Sequence, residues 1–236
     1  MKIAKILDRY ELRAQYFPAI LASIPAFIII FALKKTSWFS VPHSGVSLAV
    51  MENLGLSIVG YFFLMQLQRF LAKYCLEKKL FGDTKKLPTT QILLFHDGVF
   101  SREMKLKIRK KILIDFNIDL PDEEMEKVDK QETVRLINEA VALIRTKVKN
   151  GRHCINYNIQ YGFFRNLIAG FFFALPLSLF SMTVCIIYPS NIGMALSLFI
   201  AISFTVLFLA RKVILTNLAG TYAKNLFIEY LSLGDK

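Results

Sequence analysis

Residues 167–210 read LIAGFFFALPLSLFSMTVCIIYPSNIGMALSLFIAISFTVLFLA, without one charged side chain. Arg165 stands just before this stretch and Arg211-Lys212 just after it. Crossing roughly 30 Å of hydrocarbon takes about 20 apolar residues of helix. The stretch therefore predicts two crossings, Leu167–Tyr188 and Ile192–Ala210, joined by Pro189-Ser190-Asn191. Working outward, Ala14–Leu33, closed by Lys34-Lys35, predicts a first span, and about Ser47–Leu67 a second, with Glu52 and Asn53 inside its window. The first block is longer than the apolar core of a cleaved signal and no small-residue cleavage site follows it, so it reads as a retained span. The chain has 236 residues, 54% hydrophobic, with 21 phenylalanines. Because that apolar content lies in blocks, it points to a membrane protein rather than a greasy globule.

Charge orients the spans. The N-terminal arm carries Lys2, Lys5, Arg9 and Arg13, Arg69 to Arg165 hold 20 Lys or Arg, and four more follow the last span. The two short connections on the other side hold only Lys34 and Lys35. Basic residues near span ends stay in the cytoplasm, which predicts a multi-pass inner-membrane protein with both termini cytoplasmic. The expected fold class is an all-α membrane protein: two transmembrane helical hairpins around a mainly helical cytoplasmic insert. Its divisions are an N-terminal arm with spans one and two (1–72), a basic insert (73–160), spans three and four (161–210) and a cytoplasmic C-terminal helix (211–236).

Within the insert, span two is expected to continue as an amphipathic helix through Arg69, Lys73 and Lys78 until Gly82 stops it. Pro88 makes the residue before it extended, and Gln91–Phe95 is too short for periodicity to separate helix from strand. Ser101 reads as the N-cap of a helix to about Phe116, with Met104, Ile108 and Ile112 on its apolar face. Pro121 with Asp122, Glu123 and Glu124 marks the next helix start, since acidic groups favour the positive end of the helix dipole. Ile137, Val141, Ile144 and Val148 place one apolar stripe on a helix over 133–149. An insert of this size cannot bury a large core alone, so it is expected to lean on a neighbouring subunit or on the helix continuations. On span four, Gly193, Ser197, Ala201 and Thr205 recur every four residues, which lets helix backbones approach closely. Pro25 and Pro176 are mid-span, where kinks are tolerated.

The candidate chemistry is sparse. Cys75, Cys154 and Cys185 form no metal or disulfide pattern, and no catalytic or cofactor motif is present; catalytic, metal and cofactor sites are read as none. His96-Asp97 is the one acid–base neighbour pair, and it keeps a lipid-modifying enzyme as an alternative. The polar face of the helix over 101–111 is densely basic: Arg102, Lys105, Lys107, Arg109, Lys110 and Lys111, against the single anion Glu103. Three readings stay open for it: a face lying on anionic membrane lipid, an ordinary solvated face, or a site for a phosphate-rich ligand. Tyr161 and Arg165-Asn166 precede span three, where Arg165 either snorkels to lipid phosphates or couples the insert to the membrane. Glu52 and Asn53 are the pore candidates, since an oligomer would gather Glu52 into an acidic ring favouring cations; the other reading sets them in wet headgroups.

Several segments together resemble a widespread bacterial family of small four-span proteins. Pro88-Thr89-Thr90-Gln91 with His96-Asp97, Lys105 and Arg109 is similar to the start of its cytosolic domain. Asn158-Ile159-Gln160-Tyr161-Gly162-Phe163-Phe164-Arg165-Asn166-Leu167 is similar to its element before span three. Tyr10-Glu11-Leu12-Arg13-Ala14-Gln15-Tyr16-Phe17-Pro18-Ala19 resembles its opening. The likeness runs in order along nearly the whole chain, and the family is identified as the one that includes the membrane effector of the Hailong anti-phage defence system. The resemblance implies a homo-oligomeric, tetrameric ion channel that responds to a single-stranded oligonucleotide made by a nucleotidyltransferase partner. It implies phosphate contacts from the basic helix and signal transfer through Arg165 and Asn166. Phe164 departs from the pattern, which usually has a second basic residue there, so no cationic pair at Arg165 is implied. A membrane scaffold that recruits a soluble partner or anionic lipid without conducting ions is the rival expectation.

Overall fold

The computed structural model describes residues 9–33, 46–82, 86–148 and 152–234, with the side chains of 9, 46–57 and 152–153 outside the description. Lys34, Lys35, His43, Thr84 and Lys85 fall outside the described residues, as do the side chains of Glu52, Asn53 and His153. Every regular element among the described residues is helical: α1 (Arg9–Glu11), a π segment (Leu12–Tyr16), α2 (Phe17–Leu33), α3 (Val46–Leu71), a second π segment (Ala72–Glu77), α4 (Lys78–Phe81), α5 (Pro88–Gln91), α6 (Arg102–Phe116), α7 (Glu123–Val128), α8 (Lys130–Val148), α9 (Arg152–Ala169), α10 (Phe171–Ile187), α11 (Asn191–Leu209) and α12 (Arg211–Ser232). Gln91–Phe95 is no strand; it ends α5 and enters turns.

Two stretches, Leu12–Leu33 and Asn191–Leu209, are long and apolar enough to cross a membrane. A third candidate is the pair α9–α10, bent by 43° between Ala169 and Phe171. Both mid-span prolines, Pro25 and Pro176, sit inside unbroken helices. The sharp bend instead falls at Gly170, whose N–H is shared between the carbonyls of Asn166 and Leu167, both at 3.0 Å.

Contacts divide the chain into two units: unit one holds 1–76 and 162–212, unit two 77–161 and 213–236. In unit one, α10 packs along both α11 and α2. Ala22, Leu167, Ala174, Ile200 and Phe204 make one buried cluster and Ile29, Ala32 and Val184 another, so the described side chains set α2 chiefly against α10. Gly193, Ser197 and Ala201 are buried on α11. A Cβ at Gly193 would lie 2.8 Å from Cys185 Sγ, which is the close approach that the four-residue spacing predicts. Ser181 and Ser197 share a hydrogen bond of 2.8 Å inside this seam.

In unit two, each helix starts and stops where its local chemistry dictates. Gly82 closes α4 at a positive φ (+64°, ψ −162°) that suits glycine, donating to Lys78 O at 2.9 Å. Ser101 Oγ accepts from Met104 N–H at the start of α6, and left-handed Asn117 ends it. Asp122 caps α7 by accepting from the N–H groups of Glu124 and Met125. The stripe Ile137, Val141, Ile144 and Val148 is buried, as its spacing predicts. The core is completed by a segment far along the chain: Ala223, Leu226, Phe227 and Tyr230 of α12 pack, fully buried, with Leu93, Leu94, Ile108, Ile112 and Ile144. That helix supplies the apolar surface which the insert alone lacks.

Candidate functional site

The basic helix α6 separates into an inward and an outward set of cations. Lys105 is 1% exposed, and its Nζ donates to the carbonyls of Leu94 (2.6 Å) and Asp97 and, at longer range, of Phe95. Burial pulls its pKa below the ordinary lysine value, against the opposing charges of Asp97 and Glu126. One turn on, Arg109 is 7% exposed and donates to the carbonyls of Pro121 and Leu93 and to Glu126 Oε2 (3.3 Å). Its guanidinium lies over the Phe95 ring, 4.2 Å from the centroid. Glu126 also accepts the Phe95 N–H through both oxygens, at 3.0 and 3.2 Å. Lys105 and Arg109 thus staple the 93–97 turns onto α6 and α7, through Lys105 Nζ and both terminal nitrogens of Arg109, while Arg109 Nε is buried with no hydrogen-bond partner among the described residues. A buried cation tied to carbonyls and one carboxylate holds a loop; it does not face a ligand.

The outward set is Arg102, Lys107, Lys110 and Lys111. Arg102 pairs with Glu123 at 3.1 Å, an exposed contact of small energetic weight. Lys107 and Lys110 are exposed and form no ion pair among the described residues. Lys111 is mostly covered, its Nζ 5.7 Å from the centroid of the Tyr230 ring. Together these three lysines line a groove of about 420 Å³ with Ile114, Leu231 and Leu233, and among the described residues no carboxylate shares its lining. Three cations around an open concavity attract an anion, and phosphate oxygens suit lysine as a point charge.

Behind the groove, Asp115 accepts from Lys147 Nζ (2.6 Å) and from the Tyr230 hydroxyl (2.8 Å). Burial pushes the Asp115 carboxyl up, but the hydrogen bonds from Lys147 and Tyr230 and the charges of Lys147 and Lys111 outweigh it and hold it below its ordinary value. A carboxylate depressed in the folded state contributes stability that is complete above the unfolded value of about 3.9 and is lost as pH falls through the folded value. Chemical denaturation between pH 5 and pH 2 should show this slope for the wild type, flattened in Asp115→Asn.

The remaining predicted residues are placed as follows. His96 is exposed with Nδ1 3.7 Å from Glu126, while the Asp97 carboxylate accepts its own loop's Val99 N–H at 2.8 Å, so the two side chains are engaged separately. Among the described residues no three His, Cys, Asp or Glu gather as a metal site. Tyr161 is buried at the last position of unit two before Gly162 opens the second stretch of unit one. Asn166 is buried in unit one, where its Nδ2 donates to Ala14 O and its carbonyl accepts from Gln68 Nε2 at 2.6 Å. Gln68, immediately after the predicted end of span two, carried no motif and was not legible as a site residue.

No family model, curated protein or solved structure matches the chain.

Proposed function

We propose that the chain is the pore-forming subunit of a homo-oligomeric ion channel, an effector of bacterial anti-phage defence gated by a single-stranded oligonucleotide. Unit one supplies the apolar helices, arranged as four spans of the inner membrane with both termini and unit two in the cytoplasm. The ligand is the product of a nucleotidyltransferase partner. The observation that carries the reading is the groove of Lys107, Lys110 and Lys111, in which no carboxylate lies among the described residues, on a chain whose other unit holds helices long and apolar enough to cross a membrane. The ordered resemblance at 10–19, 88–109 and 158–167 supports it.

The test is oligonucleotide binding and ion flux with full-length protein in liposomes. Lys107→Glu with Lys110→Glu should weaken binding at least tenfold and abolish the flux response. Losing two phosphate contacts should flatten the slope of log K against log salt by about 1.4, at about 0.7 per contact for a single strand. Binding that keeps its full slope in this variant would remove the groove from the reading. A second reading rests on Leu106, Leu113 and Ile114, which are exposed beside the same cations. A basic face with aliphatic side chains suits an anionic lipid surface, and binding to such lipid without flux is that scaffold's signature.

A further inference from the structure

In unit one, two hydrogen bonds from different helices converge on one irregular stretch of backbone, and a third ties those two helices to each other. The π segment Leu12–Tyr16 breaks the i→i+4 ladder of the first helix, and such breaks free carbonyls for outside donors and recur at functional sites. Two of its carbonyls are taken from elsewhere: Ala14 O by Asn166 Nδ2 of α9, and Tyr16 O by the Tyr61 hydroxyl of α3 at 2.7 Å. α3 and α9 are tied in turn by Gln68 Nε2, which donates to the Asn166 carbonyl. That carbonyl also accepts the Gly170 N–H at the bend between α9 and α10. Asn166 and Gln68 are 1% and 2% exposed.

Two details make this more than a packing contact. Asn166 Oδ1 is buried with no hydrogen-bond partner among the described residues. Turning the amide over would set that oxygen against the Ala14 carbonyl, so the orientation is fixed and the node stays one bond short. A fully satisfied buried network only rigidifies, whereas one left short lies in a shallower well. At Gly162 α9 also approaches the first helix closely: a Cβ there would meet the Tyr10 hydroxyl at 2.8 Å and Ala14 Cβ at 3.0 Å. Along the sequence, Gln68 and Asn166 each lie within roughly two helical turns of the points, 76–77 and 161–162, where the chain passes between units.

We propose that Asn166, with Gln68 and Tyr61, is a latch fastening the first helix to the bend at Gly170, and that its release passes the ligand state of unit two to the apolar helices. This rests on the channel reading. The experiment is hydrogen exchange of residues 10–20 in full-length protein held in lipid nanodiscs, alongside liposome flux. Asn166→Leu, close in volume but unable to donate, should exchange about tenfold faster over 10–20, the factor for losing one buried hydrogen bond. Tyr61→Phe should do the same more weakly. Ser181→Ala, which removes the Ser181–Ser197 bond of the same unit, should leave 10–20 unchanged. Should Asn166→Leu not fold, Tyr61→Phe and Gln68→Leu carry the comparison. Unchanged exchange in the folded variants, or an equal rise in Ser181→Ala, overturns the latch whatever the flux. Faster exchange in a protein that conducts under no condition keeps the three-helix fastening and overturns the channel reading instead.

Discussion

Arg109→Ala should lower the unfolding free energy of unit two by about 3–5 kcal/mol, because it leaves Glu126 as an uncompensated buried charge. Arg109 and Glu126 are 7% and 8% exposed at the side chain, and the guanidinium is also the donor to Leu93 and Pro121 carbonyls. Urea titration in detergent, followed by circular dichroism, measures the effect. Lys110→Ala, one residue on but exposed, should stay within about 0.5 kcal/mol of wild type. The contrast separates a buried structural cation from an exposed one on a single helix. Should Arg109→Ala instead leave the midpoint unmoved and weaken oligonucleotide binding, the inward role assigned to Arg109 would be wrong. Replacing both partners with apolar residues of similar volume is the complementary measurement. Buried pairs replaced in this way are often neutral or better, so Arg109→Met with Glu126→Leu should recover much of the loss.

The second large effect falls at Gly170, where the backbone turns by 43°. A Cβ there would stand 2.8 Å from Phe204 Cε1, 2.9 Å from the Leu167 carbonyl oxygen and 3.0 Å from Ala22 Cβ. The phenylalanine ring can swing aside, but the carbonyl is backbone and cannot. Gly170→Val therefore has to part α9–α10 from α2 and α11, at a cost of about 3 kcal/mol, the upper range for overpacking. Its thermal midpoint in detergent should drop well below that of Gly220→Ala. Gly220 lies within α12 with nothing inside 4 Å of its added Cβ, so an alanine there should stabilise by about 0.5–1 kcal/mol. A Gly170→Val protein that melts with wild type would mean that the bend has room the geometry denies.

These two residues also mark what the sequence made legible. Helix limits set by local chemistry were readable: Ser101 caps α6, Asp122 caps α7, Gly82 closes α4, and the 4-3-4 stripe of α8 is buried. The charge on α6 was not readable by composition alone, since Lys105 and Arg109 stand one turn apart and flank Ile108 on the buried side. Met104, Ile108 and Ile112 do face the core, as their spacing predicts, and the two cations share that face while Leu106, Leu113 and Ile114 are left exposed. The fate of those two cations depends on carbonyls at 93–97 and on Glu126, partners remote in sequence. The bend at Gly170 was hidden for a similar reason. Proline advertises a kink through its own ring, whereas a glycine bend is visible only once Phe204 and Ala22 are known to press on it. Glu52 and Asn53 have side chains outside the described residues, and their proposed place at a pore stands on the sequence.

The packing of α12 into unit two has a consequence for biosynthesis. Residues 77–161 leave the ribosome before α10 and α11 are made, and Leu226, Phe227 and Tyr230 only after them. At roughly 5–20 residues per second, several seconds separate the appearance of that first portion from the segment that covers its core. During that interval Ile108, Ile112 and Ile144 have no lid, just as two long apolar helices are emerging. The nascent chain should therefore be most prone to aggregation while α10 and α11 are being made.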